Sequence, residues 1–271
     1  MRLLFAIIIL ITVSSCGGIN KILKNPDPAY KLRMAEQYYV KKKYTYAQTL
    51  FEDVLPYYNG KPEFEDIYYK FAYCAYYQED YLSADYNFKK FIEIFPNSSR
   101  SEEIDFMRAY TYYKQSPKPS LDQTNTIKAM GMMQAFINTH PNSSRNKEAT
   151  EIIDICRQKL EVKDFNSAQL YFDLGQFRAA GVAFTSLIND YPESPKTDEY
   201  KLMVIKAYYN YAELSIIEKK QERYEKVIEE CNDFTDRFPG SKLLKEAERY
   251  ISLSQTNIKN LSNNEQIKTP A

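Results

Sequence analysis

From residue 29 onward the apolar positions recur at spacings of three and four, in runs long enough for amphipathic helices. Four similar turns interrupt those runs: Phe95-Pro96-Asn97-Ser98, His140-Pro141-Asn142-Ser143, Tyr191-Pro192-Glu193-Ser194 and Phe238-Pro239-Gly240-Ser241. Their prolines stand 45, 51 and 47 residues apart. Proline cannot continue a helix and biases its predecessor away from the helical region. The serine two places later predicts an N-cap for the next helix. On the same logic Pro195 is expected at a first helical position, and Ser99 with Glu102 is expected to form a capping box.

Offsets from each proline sharpen the pattern. Twelve residues before it stand Ala84, Ala129 and Ala180; eight before, Phe88, Met133 and Phe184; five before, Phe91, Phe136 and Leu187. Ala72 and Ala168 lie a further twelve back. Small residues let two helices approach and large ones fill the gap to the next pair, which is the tetratricopeptide (TPR) pattern. Residues 28–59 fit with Ala35, Ala47 and Phe51, and the fifth copy places Val227 and Cys231 in these slots. The expected fold is all-α, a right-handed superhelix of five hairpins at about 29–60, 64–97, 101–142, 146–193 and 197–240, with a closing helix after Ser241. Hairpins 1–3 (29–142) and hairpins 4–5 with the closing helix (143–261) form two expected parts. Gln115 to Thr126 reads as a loop inside the third hairpin, and the fourth is expected to start with a long helix. Around Glu218 to Glu222 the fifth has extra length, assigned to a longer first helix or a longer turn.

The N-terminus follows a different rule. Arg2, an apolar run from Leu3 to Val13, and small residues up to Cys16 have the layout of a secretory signal over residues 1–15. That run is shorter than the roughly 20 apolar residues a membrane span takes. Val13-Ser14-Ser15-Cys16 matches a lipobox, so Cys16 is expected to carry a diacylglycerol on sulfur and an acyl chain on its new amine. Residues 16–28 then read as a lipidated tether. Gly17 stands where an aspartate would signal inner-membrane retention, and by resemblance to lipoprotein sorting signals the expected location is the outer membrane, facing the periplasm.

Composition excludes several function classes. Lys plus Arg and Asp plus Glu both number 36, so nothing favours nucleic-acid binding, which rests on phosphate neutralisation. Seven glycines and no tryptophan argue against a turn-rich β fold. Cys74, Cys156 and Cys231 are an odd number outside any CxxC and are expected as buried thiols. The segment 262–271 has little to bury and is expected to be disordered. The lone histidine, His140, takes the aromatic slot of its turn, which predicts a packing ring rather than a metal ligand. Without HExxH, a Gly-rich phosphate loop or GxSxG, no enzyme, metal or cofactor is expected beyond the lipid on Cys16.

What remains is a binding surface. TPR first helices line a concave wall, and this register places Glu36, Tyr39, Asp66, Tyr69, Tyr73, Tyr76, Tyr77, Tyr110 and Tyr113 there. Tyrosine offers an apolar face and a polar tip, suited to an extended or aromatic-ended peptide, and equally to packing between repeats.

Particular strings carry a family resemblance: Tyr73-Cys74-Ala75-Tyr76-Tyr77 with Ala84 and Phe91-Ile92, Asp105-Phe106-Met107-Arg108-Ala109, and His140-Pro141-Asn142-Ser143 through Ala168 and Tyr171 to Tyr191-Pro192-Glu193-Ser194. With the lipobox, they resemble the BamD family, lipoproteins of the outer-membrane β-barrel assembly machinery. The resemblance implies a non-enzymatic scaffold that binds the POTRA domains of the barrel-forming subunit. It also implies that the N-terminal repeats receive C-terminal segments of unfolded outer-membrane proteins, and that the C-terminal hairpins carry the main subunit contact. The other reading is a TPR adaptor lipoprotein recruiting a cell-wall or division enzyme.

Overall fold

The computed structural model describes residues 16–268, with side chains over 18–263; the expected signal segment 1–15 lies outside them. All regular structure among the described residues is helical. Five antiparallel pairs appear where the repeat placed them: α2 (Pro28–Val40) with α3 (Tyr44–Tyr58), α4 (Phe64–Tyr77) with α5 (Tyr81–Ile94), α6 (Ser101–Lys114) with α7 (Thr124–Thr139), α8 (Asn146–Asp173) with α9 (Phe177–Asp190), and α10 (Thr197–Glu213) with α11 (Ile217–Arg237). They are preceded by α1 (Cys16–Leu23) and followed by α12 (Leu244–Lys268).

The register is visible in burial. Ala35, Ala47, Ala72, Ala84, Ala129, Ala168 and Ala180 are all fully buried, as are Phe88, Met133, Phe184, Val227 and Cys231. Two compact units result, one ending at Arg157 and the other starting at Gln158. The boundary falls inside α8, whose first part (Ala149, Ile152, Cys156) joins the core of hairpins 2 and 3. Its second part (Leu160, Phe165, Ala168) joins the core of the fourth hairpin and α10. Cys74, Cys156 and Cys231 are buried free thiols, and burial pushes Cys74 and Cys231 up to about 12.

Several expectations change or sharpen. Within the expected tether, residues 16–23 form helix α1, and Ile19 and Ile22 pack into the core of the first hairpin with Leu50, Phe51 and Val54. Two apolar residues three apart make one sticky helical face, and that outweighs the flexibility of Gly17-Gly18. The turn serines are not N-caps, because the helices begin about three residues later, at Ser101, Asn146, Thr197 and Leu244. Each serine hydroxyl instead accepts the backbone N–H two residues on and donates to an acid in the first helix of its own hairpin. The pairs are Ser98–Glu65 (2.6 Å), Ser143–Glu102 (2.5 Å), Ser194–Glu161 (2.5 Å) and Ser241–Asp198 (2.6 Å). Glu102 is therefore committed to Ser143 rather than to a capping box, and Pro195 sits before its helix. The extra length of the fifth hairpin goes mainly into its second helix, since α11 has 21 residues against 14 in α5 and α9. Last, α12 continues to Lys268, through most of the segment expected to be disordered, because its amphipathic start carries a polar helical continuation.

Candidate functional site

The seven predicted tyrosines come together on the first helices of hairpins 1–3. Tyr39 on α2 meets Tyr77 on α4 at 6.3 Å between ring centroids. Along α4, Tyr69–Tyr73 (4.7 Å), Tyr73–Tyr77 (5.6 Å) and Tyr73–Tyr76 (6.1 Å) continue the array. Tyr76 reaches Tyr110 on α6 (6.4 Å), which meets Tyr113 (5.6 Å). These are ordinary separations for mutually attractive rings. The array divides by burial: Tyr73 is 5% exposed and serves the core, whereas Tyr77 is 45% exposed and the others are half-buried. Two rings that sequence reasoning missed complete it. Tyr44 stacks on Tyr77 at 4.6 Å, and Tyr81 meets Tyr76 at 5.9 Å. Both start second helices, so a rule restricted to first helices passes them over.

A polar ladder runs beside the rings. Lys70 bridges Glu36 (2.9 Å) and Asp66 (2.6 Å), and Arg100 binds the other oxygen of Asp66 at 2.9 Å. The Arg100 guanidinium lies 4.3 Å from the Tyr69 ring centroid. Tyr69 and Tyr73 both donate to Glu103, at 3.1 and 2.6 Å. Burial alone would raise Asp66, but the hydrogen bonds and charges of Lys70 and Arg100 hold it below the usual carboxylate range. The ladder thus ties three hairpins together through their first helices. His140, the lone histidine, packs against Phe136 and reaches Asp105 at 3.2 Å, in the aromatic slot the repeat assigned to it.

Burial, joined at Tyr69 by Glu103, pushes the Tyr69 hydroxyl up to about 12; burial does the same for Tyr76 and drives Tyr39 and Tyr73 higher. The folded state therefore holds these protons more tightly than an unfolded chain, where tyrosine titrates near ~10. Their stabilising contribution is complete below pH ~10 and is lost as pH rises beyond that value. Alkaline titration followed by tyrosinate absorbance should show these rings ionising only together with loss of helical circular dichroism. Simple titration near pH ~10 with the helices intact would contradict this packing.

The profile of the YfiO family, described as outer membrane lipoprotein, matches residues 25–209. The chain belongs to the YfiO family. A putative outer membrane protein assembly factor BamD of Aquifex aeolicus (strain VF5) is 24% identical over 263 residues, 95% of this chain and 85% of that protein. Among solved structures, a thermophilic TPR protein of Thermus thermophilus is similar at 16% identity and a TM-score of 0.32, covering 83% of this chain and 98% of its own. The yeast histone chaperone Hif1 is similar at 13% identity and a TM-score of 0.28, covering 88% and 96%. The YfiO match spans the first four hairpins and most of α10, leaving α11 and α12 outside it. Among the described residues, no helix is long and apolar enough to cross a membrane.

Proposed function

We propose that this YfiO-family chain is a non-catalytic scaffold lipoprotein of outer-membrane β-barrel assembly, anchored through acylated Cys16 and facing the periplasm. In this reading it binds the POTRA domains of the barrel subunit and receives C-terminal segments of unfolded outer-membrane proteins. The observation that carries the reading is the tyrosine face of hairpins 1–3, in a family described as outer membrane lipoproteins. Its edges, at the exposed Tyr77 and the half-buried Tyr44 and Tyr39, offer apolar faces to an aromatic side chain, while their hydroxyls can serve an extended backbone. Tyr73 and the Lys70 ladder hold those edges in place, which lowers the ordering cost of binding.

The test is affinity purification of the full-length protein from detergent-solubilised envelope, with and without Tyr39→Ala and Tyr77→Ala. The expected result is recovery of a POTRA-containing barrel protein by both forms. Recovery of newly made outer-membrane proteins should fall about tenfold in the double variant, since anchor side chains carry most interface energy. Recovery of cell-wall enzymes alone would sink the assembly reading in favour of an adaptor. Equal client recovery by both forms would remove the tyrosine face from it.

A further inference from the structure

The first hairpin carries positive charge that its own packing does not use. The turn between α2 and α3 reads Val40-Lys41-Lys42-Lys43, and all four side chains are exposed, Val40 by 78%. Lys21 on α1 and Lys24 just past its end are exposed as well, while Ile19 and Ile22 of that helix are buried. The helix therefore turns a basic face outward. Among the described residues none of these five lysines makes an ion pair, and residues 16–26 contain no acid.

The turn itself does not call for lysine. Lys42 N–H donates to Tyr39 O (2.9 Å) and Lys43 N–H to Tyr38 O (2.8 Å), the closure of a helix through a left-handed residue. Lys42 is that residue, at φ +55°, a conformation that favours glycine. The fourth hairpin builds the same closure on Gly175 (φ +73°) and the second on Glu79 (φ +61°). Backbone geometry thus leaves the residue type open and gives no reason for three consecutive lysines.

The anchor decides what they face. Ile19, three residues from Cys16, is held in the core of the first hairpin. An acylated Cys16 then keeps that hairpin within about 10 Å of the lipid headgroups, even with Gly17-Gly18 extended. Charges at that range still act on one another, since the Debye length is about 8–10 Å at ordinary ionic strength. Burial of Ile19 and Ile22 requires the chain to double back over residues 24–27, which turns the Cys16 end of α1 toward the Val40 end of α2. The next turn, Gln78-Glu79-Asp80, has the opposite sign, with Asp80 capping Ser83 N–H at 3.1 Å. Attraction to an anionic surface is therefore confined to the anchored end.

We propose that the Val40–Lys43 turn, with Lys21 and Lys24, is a second attachment of this chain to its membrane. The ammonium groups meet the phosphates of anionic phospholipid headgroups, and Val40 rests against them. An acyl anchor joined to a basic patch is a general two-signal device for membrane attachment. The proposal rests on the Cys16 anchor of the scaffold reading. Its consequence is that the tyrosine edge flanking this turn, at Tyr39 and Tyr44, lies at the membrane surface.

The experiment sediments the full mature chain carrying Cys16→Ala, which removes the acyl chains, with lipid vesicles at low ionic strength, where screening is weakest. Binding to phosphatidylethanolamine mixed with phosphatidylglycerol should be at least about tenfold tighter than to phosphatidylcholine, and should weaken steadily with added salt. Lys41→Gln, Lys42→Gln and Lys43→Gln together should lower it at least about tenfold, since one basic side chain near an anionic surface contributes roughly fivefold. Lys61→Gln, Lys89→Gln and Lys147→Gln remove equal charge from exposed positions elsewhere on the N-terminal unit. Their combined loss should stay below about twofold, because distance and screening weaken their share. Equal losses in the two triple variants, equal binding to the two kinds of vesicle, or binding to neither would overturn the proposal. Thermal melts of both variants separate lost binding from unfolding. A destabilised triple variant is replaced by Lys41→Gln with Lys43→Gln, which leaves the left-handed position untouched. The mass of the N-terminal peptide of the native protein reads the anchor separately. Acyl mass on Cys16 without lysine-dependent vesicle binding keeps the anchor and removes this surface; the opposite pair of results keeps the surface and removes the anchor.

Discussion

Cys16→Ala should move the protein from the membrane pellet to the soluble periplasmic fraction while leaving its helical content and melting temperature unchanged. The expected effect on location is near complete. Acyl chains contribute about 0.8 kcal/mol per buried methylene, and stable attachment takes more than one chain. The described residues hold no membrane-crossing helix to substitute for them. The structure separates this effect from packing. Ile19 and Ile22 hold α1 on the first hairpin, so loss of the lipid leaves that contact in place. The converse variant, Ile19→Asp with Ile22→Asp, should stay in the membrane fraction yet lose hydrogen-exchange protection over residues 28–58. Persistence of Cys16→Ala in the membrane pellet after a high-salt wash would refute acylation at Cys16 as the anchor.

Lys201→Met should lower the stability of the C-terminal unit by roughly 3–5 kcal/mol, the range for breaking a buried ion pair from one side. Lys201 projects from α10 with its side chain 7% exposed, and it binds Glu230 and Asp233 of α11, both at 2.5 Å. Removing the ammonium leaves Glu230, itself well covered, without its closest compensation. Asp233 is tuned to the same cation: burial would raise its carboxyl, but Lys201 and Arg237 hold it below the usual range. That part of the stability is present above the ordinary carboxylate range and is lost as pH falls through the depressed folded value. Urea melts followed by the signal of the C-terminal unit measure the difference. Adding Glu230→Leu and Asp233→Leu to Lys201→Met should recover most of the loss, because replacing a whole buried ionic cluster with apolar groups is often neutral. An unchanged urea midpoint for Lys201→Met alone would mean that the pair does not hold α10 to α11.

Much of this protein was legible in the order of its residues because the repeat is a local code. An alanine twelve residues before a proline must be small wherever two helices touch, and each such alanine is fully buried. The helix pairs, the packing role of His140, the buried cysteines and the long fourth-hairpin helix follow from periodicity and turn chemistry alone. So does the location of the tyrosines on first helices.

Tertiary structure decided what depends on the distance between non-neighbours. Sequence predicts a serine two places after each proline as a cap. Its choice of an acid 33 to 43 residues earlier requires the hairpin to be closed first. Whether Gly17-Gly18-Ile19 forms a leash or a helix turned on whether the first hairpin offers a surface to Ile19 and Ile22. Tyr73 and Tyr77 are the same residue type four positions apart on one helix, yet one is core and the other half-open, because Tyr73 packs on buried Phe88 of α5 while Tyr77 stacks on the half-buried Tyr44. The added length near Glu218 reads in sequence as an irregularity. Only the fold shows it as added turns of α11, packed against α10 through Tyr224 and Val227.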